Sequence, residues 1–318
     1  MSAVPISELR GADVLLYHGN AWISKAIRFF DGSEYSHAAL YLGSGSVGEA
    51  VSAGVVKRDL QTSRGDSKFV DARRLKARVE TMDPVLAVSA SILKQKQRYA
   101  YEQIILLALL AVSRKPKWTP VLRRLIRSVL DRAASTLSKL AAGKRQPMIC
   151  SEFVFRCFAE AVGGEQDPYT IRIDTMDESI LFAAPKGRGI DPESLLAWRL
   201  DATGEVWRAP AMEQELPEKK ATEAEIEQLA EIYLKEVRTD REAAPVAQVS
   251  DRALRGSLDQ FAEALHRSLT TGREIPETKE KVGPAPLETL ANVASDFVTP
   301  GDLARTDSLF DIGRLKNA

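Results

Sequence analysis

The chain has 318 residues, 44% hydrophobic and 28% charged, with 44 basic residues against 44 acidic ones. At roughly 150 residues per domain this is one large or two modest globular domains, with core enough to need no disulfide framework. The longest apolar run, residues 104–112, is far short of the ~20 residues that cross a bilayer, and MSAVPISELRGAD lacks the basic start and apolar stretch of a signal peptide.

In chain order, GADVLLY at 11–17 reads as a short strand after a glycine, and AWISKAIRFF at 21–30 has helical spacing up to Asp31-Gly32. YSHAALYLG follows, a buried-strand pattern over 37–42 with His37 at its head, and then the GSGS turn. A second strand stretch, VGEAVSAGVVKRDL, is broken at Gly54, and FVDARRL at 69–75 is another strand. Pro84 opens a helix toward 97, an apolar helix spans 99–112, and Pro116 and Pro120 separate it from a helix over 121–142. That helix is apolar on one side and arginine-rich on the other. ICSEFVFRCFAEAV at 149–162 repeats apolar residues at helical spacing, with Gly163-Gly164 expected to end it. LLAWRL and EVWRA, flanking Ala202-Thr203-Gly204, read as a hairpin. A polar linker over 210–222 leads to amphipathic helices near 223–237 and 251–270. A second link over 271–285 precedes a helix at 286–297, and the chain closes with VTPGDLARTDSLFDIGRL.

The zero net charge hides a division. Residues 113–145 hold ten basic side chains against Asp131 alone, while 213–236 hold eight glutamates. The two segments face each other, meet separate partners, or are solvated helix faces. With its apolar and basic sides, 121–140 suits an anionic membrane surface, and equally a lid or core helix. Aromatic residues are sparse around it, so nucleic acid is not an expected partner.

Chemistry has few candidates, because the chain holds only three histidines and two cysteines. No Cys/His spacing suits zinc and no glycine-rich loop cradles phosphate, so neither a metal nor a cofactor is expected. Cys150 and Cys157 lie seven residues apart along one helix, about 10 Å, too far for a disulfide. Free thiols point to a reducing compartment, and the expected location is the cytoplasm, with export by a route lacking an N-terminal signal left open.

Cys150 lies in the first turn of its helix, where backbone N–H groups lower a thiol's pKa and can hold an oxyanion. A nucleophilic cysteine also needs a base oriented by a third polar group. His37 heads one strand, and Glu49 lies twelve residues on, across the GSGS turn, where antiparallel pairing brings it beside the histidine. Taken singly, each residue has an ordinary structural reading; the combination is what suggests a triad. Of the remainder, His18 reads as a loop residue, His266 as a surface residue, Cys157 as inert core, and Ser151 and Glu152 as helix-start residues.

SHAALYLG followed by GEAV, and later ICSEFVFRCF, resembles the circularly permuted NlpC-type papain-like superfamily, nearest its YiiX-like branch and more distantly the lecithin:retinol acyltransferase-like proteins. There the histidine strand precedes the cysteine helix. The resemblance implies an α+β fold, a small antiparallel sheet packed on helices, with added helical regions. It implies Cys150 as nucleophile, His37 as base and Glu49 as the orienting residue. GADVLLY resembles the family's opening strand and RYAYEQIILLAL a tyrosine-bearing helix start, which makes Tyr99 a candidate oxyanion or substrate residue, with Tyr101 its rival. VTPGDLARTDSL resembles the end of the domain.

The resemblance covers 9–172 and 292–315, expected as the catalytic domain, with 113–145 as a basic helical insertion in it. Residues 175–290 are expected as an added hairpin and acidic helical region. The expected activity is that of a cysteine hydrolase forming a thioester from a peptide, peptidoglycan or lipid acyl substrate. The alternatives are a lipid acyltransferase or phospholipase at a membrane surface, and a binding or scaffold module without catalysis. The sequence does not fix an oligomeric state.

Overall fold

The structure, a computed structural model, describes residues 3–51, 54–65, 67–94, 102–113, 119–141, 148–161, 168–173, 194–201, 221–239, 248–270 and 286–316. It is an α+β fold. Among the described residues there is one seven-stranded sheet, with strands β1 (Ala3–Val4), β2 (Val14–His18), β3 (His37–Gly43), β4 (Ser46–Val51), β5 (Gly54–Asp59), β6 (Phe69–Leu75) and β7 (Leu309–Leu315) in the order β1-β7-β6-β2-β3-β4-β5. The expected antiparallel pairing holds for every pair of neighbours except β1 and β7, which pair in parallel and make the sheet mixed. A two-residue strand beside a proline carries no alternation from which pairing can be read.

The chain divides into two compact units. The first comprises Met1–Leu106, Pro147–Arg188 and Asp296–Ala318, and the second Leu107–Gln146 and Gly189–Ser295. The basic stretch therefore belongs with the acidic helices in one unit.

In the first unit the two faces of the sheet follow from strand alternation. On one face Leu15, Tyr17, Ala39, Tyr41, Val47, Val70 and Ala72 form a core with Leu60 of α2 (Leu60–Arg64). On the other, Gly48 of β4 meets Phe153 of α6 (Cys150–Ala159). A Cβ on Gly48 would stand 3.0 Å from Phe153 Cζ, so a side chain there would require the ring or α6 to shift by a few tenths of an ångström. The helix packs on β3 and β4, with α3 (Asp83–Lys94) beside it. It ends at Ala159 with Glu160 as its cap, short of the expected Gly163-Gly164, which lie outside the described residues. The Glu160 N–H bonds the Arg156 carbonyl at 3.0 Å and the Ala161 N–H takes the Phe158 carbonyl at 3.2 Å, a tightened last turn that ends the helix without a glycine. α1 (Trp22–Asp31) ends in a left-handed Gly32, as its Asp-Gly signal predicts. The closing segment forms α11 (Pro300–Arg305), capped by Thr299 and Asp302, and then β7.

The second unit is helical where described: α5 (Pro120–Ala141), α7 (Leu195–Asp201), α8 (Glu223–Thr239) and α9 (Asp251–Thr270), with most of α4 (Glu102–Ser113) and α10 (Pro286–Asp296). Leu122, Leu125, Ile126, Val129, Leu130 and Leu137 bury one side of α5, and α5 packs on α8 and α9. Charge crosses these contacts: Arg123 pairs with Asp251, and Thr119 Oγ1 donates to Glu236 Oε2 at 3.1 Å. The apolar side of 121–140 is thus used inside its own unit, while Arg124 and Lys139 stay exposed. LLAWRL is helix α7, not half of a hairpin. Ser194 accepts the Ala197 N–H at 3.0 Å, Trp198 lies under Arg255, and Arg199 pairs with Asp259. EVWRA and most of the expected 210–222 and 271–285 linkers lie outside the described residues. Among the described residues no helix is long and apolar enough to cross a membrane.

Candidate active site

The site forms where two strands part. The β3–β4 ladder runs from the turn to Ala39–Glu49 and ends there, although β3 continues to His37 and β4 to Val51. Backbone N–H groups alternate sides along a strand. Tyr41 N–H points to β2, bonding Asp13 O at 2.8 Å, so Ala38 N–H points to the side that β4 has left. It bonds the sulfur of Cys150 there instead. The Ser151 N–H bonds the same sulfur, from the first turn of α6. The N–H of Cys150 itself, also in that turn, has no acceptor within the helix.

His37 shares a face with Tyr17, Ala39 and Glu49. Its Nε2–H donates to Glu49 Oε2 at 2.8 Å, its ring is electrostatically coupled to the Cys150 thiol, and its buried Nδ1 has no hydrogen-bond partner among the described residues. With Nε2 occupied, Nδ1 is the nitrogen left for the thiol. The three residues come from separate elements: the head of β3, the middle of β4 and the first residue of α6. All are buried, Glu49 and Cys150 to 1% exposure and His37 to 8%.

Burial opposes charge on each group, and the neighbours outweigh it. The thiol of Cys150 is held below its ordinary value by His37, helped by the Ala38 and Ser151 N–H groups. Cys150 and Glu49 raise His37 to about 10. Glu49 is pulled below the usual carboxylate range by His37, the Ser63 hydroxyl and Arg58. This is the pattern of a thiolate–imidazolium pair with a carboxylate behind it.

Three further residues hold the carboxylate, and sequence reasoning missed them. Ser63 of α2 donates to Glu49 Oε2 at 2.9 Å. Having spent its one proton, it accepts from the Tyr17 hydroxyl at 2.9 Å. Burial pushes the Tyr17 phenol upward, so it remains a donor, and its ring meets His37 edge-on at 5.1 Å. Arg58 of β5 stands 3.6 Å from Glu49 Oε1. Arg58 pairs with Val47 in the β4–β5 ladder, close to Glu49, and that proximity was a signal the strand pattern carried. Ser63 carried none.

The structure therefore brings Cys150, His37 and Glu49 together, while Tyr99 and Tyr101 lie outside the described residues. His18 is the last residue of β2 rather than a loop residue. Its ring packs on Phe69 at 4.6 Å, on the face opposite His37, because β2 pairs through Phe69 to its very end. His266 is half-buried, bonding Thr289 Oγ1 at 2.8 Å. Cys157 is fully buried, and burial pushes its thiol up to about 12. Ser151 donates to the Val298 carbonyl at 2.6 Å, and Glu152 accepts the Ile149 N–H at 3.4 Å. Among the described residues no group of three or more His, Cys, Asp or Glu could hold a metal ion. No model of a known protein family matches the chain, and comparison with curated proteins gives no match.

Proposed function

We propose that this protein is a cysteine hydrolase of the permuted papain-like type, acting on an acyl substrate, an amide or an ester. One observation carries the reading: His37, bonded to Glu49 through Nε2, is electrostatically coupled to Cys150 in the first turn of α6, with its Nδ1 taken by no other group among the described residues. The Cys150 thiolate attacks the acyl carbon, and a C–S bond forms as the carbonyl π electrons move to oxygen. The free N–H of Cys150 is the donor best sited for that oxyanion. As the tetrahedral intermediate collapses, the bond to the leaving group breaks and His37 gives it a proton. The thioester then takes a water molecule, deprotonated by His37, and releases the acid and the thiolate. An alcohol or amine in place of water makes the same cycle an acyl transfer. Glu49 keeps the imidazole oriented and steadies its charge. The free thiols suit a reducing compartment, and we place the protein in the cytoplasm.

The test is the rate of Cys150 alkylation by iodoacetamide against pH, with the site assigned by mass spectrometry. The thiol is almost fully buried, so the smallest reagent is the right one. An ordinary thiol titrates near 8.5 and is about 1% ionised at pH 6.5. Wild-type Cys150 should therefore label well below pH 8.5, and His37→Ala should slow it at pH 6.5 by about 100-fold. An ordinary titration, equal in both proteins, overturns the proposal.

A further inference from the structure

A second cavity opens at the other end of the sheet. It has a volume of about 710 Å³ and is bounded by the turn before β2, the end of β6 and the start of β7. His37 sits opposite Tyr17, whereas this cavity begins beyond Val14, three strand steps or about 10 Å away along β2. It is separate from the thiol site.

Its charge is one-sided. Arg10, Arg74, Lys76 and Arg78 line it, and Asp13 is the only acid among the lining residues. Asp13 is fully engaged: it accepts from Arg74 Nε at 2.7 Å, from Arg74 Nη2 at 2.8 Å and from the Arg10 N–H at 2.7 Å. Arg74 is thereby neutralised. Lys76 stands 3.8 Å from Asp307, and both side chains are exposed, which leaves the pair weak. Arg10 and Arg78 have no ion pair among the described residues.

The rest of the wall is apolar. Val79 and Met82 line it, and so does Phe310, which at 40% is one of two exposed large hydrophobic side chains among the described residues. The backbone beneath is held firmly. Ala12 takes φ +68°, a conformation that residues other than glycine rarely adopt, and its N–H bonds Tyr41 O at 2.7 Å.

We propose that this cavity binds a small phosphate monoester with an apolar body. Two guanidinium groups and an ammonium match a dianion, with the planar fork of arginine suited to phosphate oxygens. Phe310, Met82 and Val79 take the apolar part, and the volume lies within the range of small-ligand sites. The proposal stands independently of the chemistry at Cys150.

Isothermal titration calorimetry of the full chain with octyl phosphate tests it, with inorganic phosphate and octanol as controls. Octyl phosphate should bind one to one, at least tenfold tighter than either control. Arg10→Glu and Arg78→Glu should each weaken it at least tenfold, Phe310→Asp should weaken it too, and Cys150→Ala should leave it unchanged. The charge reversals lie on exposed side chains and keep the Arg74–Asp13 pair, so the fold should survive. No binding, affinity unmoved by the arginine variants, or a control binding as tightly as octyl phosphate overturns the proposal. Retention on phosphatidic acid vesicles, lost in Arg78→Glu, would assign the phosphate to a membrane lipid; octyl phosphate binding without vesicle retention would assign it to a soluble ester.

Discussion

Ser63 shows how far a catalytic proposal extends beyond the residues that do the chemistry. Its hydroxyl joins Tyr17 to Glu49, and Glu49 Oε1 has no hydrogen-bond partner of its own. Removing the hydroxyl leaves the carboxylate less stabilised as an anion. Its pKa then rises, its hold on the His37 charge weakens, and the Cys150 thiolate loses part of its partner. We therefore expect Ser63→Ala to move the acid limb of Cys150 alkylation to higher pH and to slow labelling at pH 6.5 about tenfold, as a hydrogen bond to a charged group implies. Ser63→Thr keeps the hydroxyl and should keep the profile. A profile unmoved in the alanine variant would reduce Ser63 to a packing residue. The three site residues themselves were legible because each sits at a recognisable place: a histidine where a strand begins, an acid across a tight turn, a cysteine where a helix starts. Ser63 belongs to a five-residue helix with no such mark, and it meets Glu49 only because α2 folds back under β4.

Elements place the thiol through a close contact at a residue with no side chain. Gly48 admits the Phe153 ring, and Phe153 is fully buried. Gly48→Ala should cost about 1–3 kcal/mol of stability, the range of an overpacked core, readable as a lower urea midpoint. It should also slow Cys150 labelling, because α6 must move and the cysteine is its first residue. Phe153→Leu in the same chain should recover part of both losses; recovery of neither would mean that the ring is not what the new methyl meets. The strands and long helices were readable from alternation and helical spacing. The hairpin reading over LLAWRL failed because adjacent Leu195 and Leu196 are both buried, and a short apolar run does not separate strand from helix. The deciding interactions, an N-cap at Ser194 and side-chain contacts to α9, join residues whose proximity exists only after folding.

At the scale of the whole molecule, the first unit is assembled from three separate stretches of chain, and β7, from the last of them, is an interior strand. It lies between β1 and β6, and its Arg314 bonds the fully buried Asp71 through Nε at 2.7 Å and Nη2 at 3.1 Å. A chain cut after Ser308 would leave Asp71 without that partner, β1 without its one neighbour and β6 paired on one side only. It should lose cooperative unfolding, and labelling of Cys150 should lose its dependence on His37; a sharp two-state transition in the truncated chain would argue that β7 is dispensable. Nothing in VTPGDLARTDSLFDIGRL alone announces an interior strand, because its partners lie at the opposite end of the sequence. The same arrangement orders events during translation. The His37–Glu49 hairpin emerges first and is harmless alone, the nucleophile emerges much later, and the strand that closes the sheet follows both. If the proposed chemistry holds, a growing chain on the ribosome carries the parts of a thiol centre without the sheet that completes it, and the reactivity would arise only once β7 has been made.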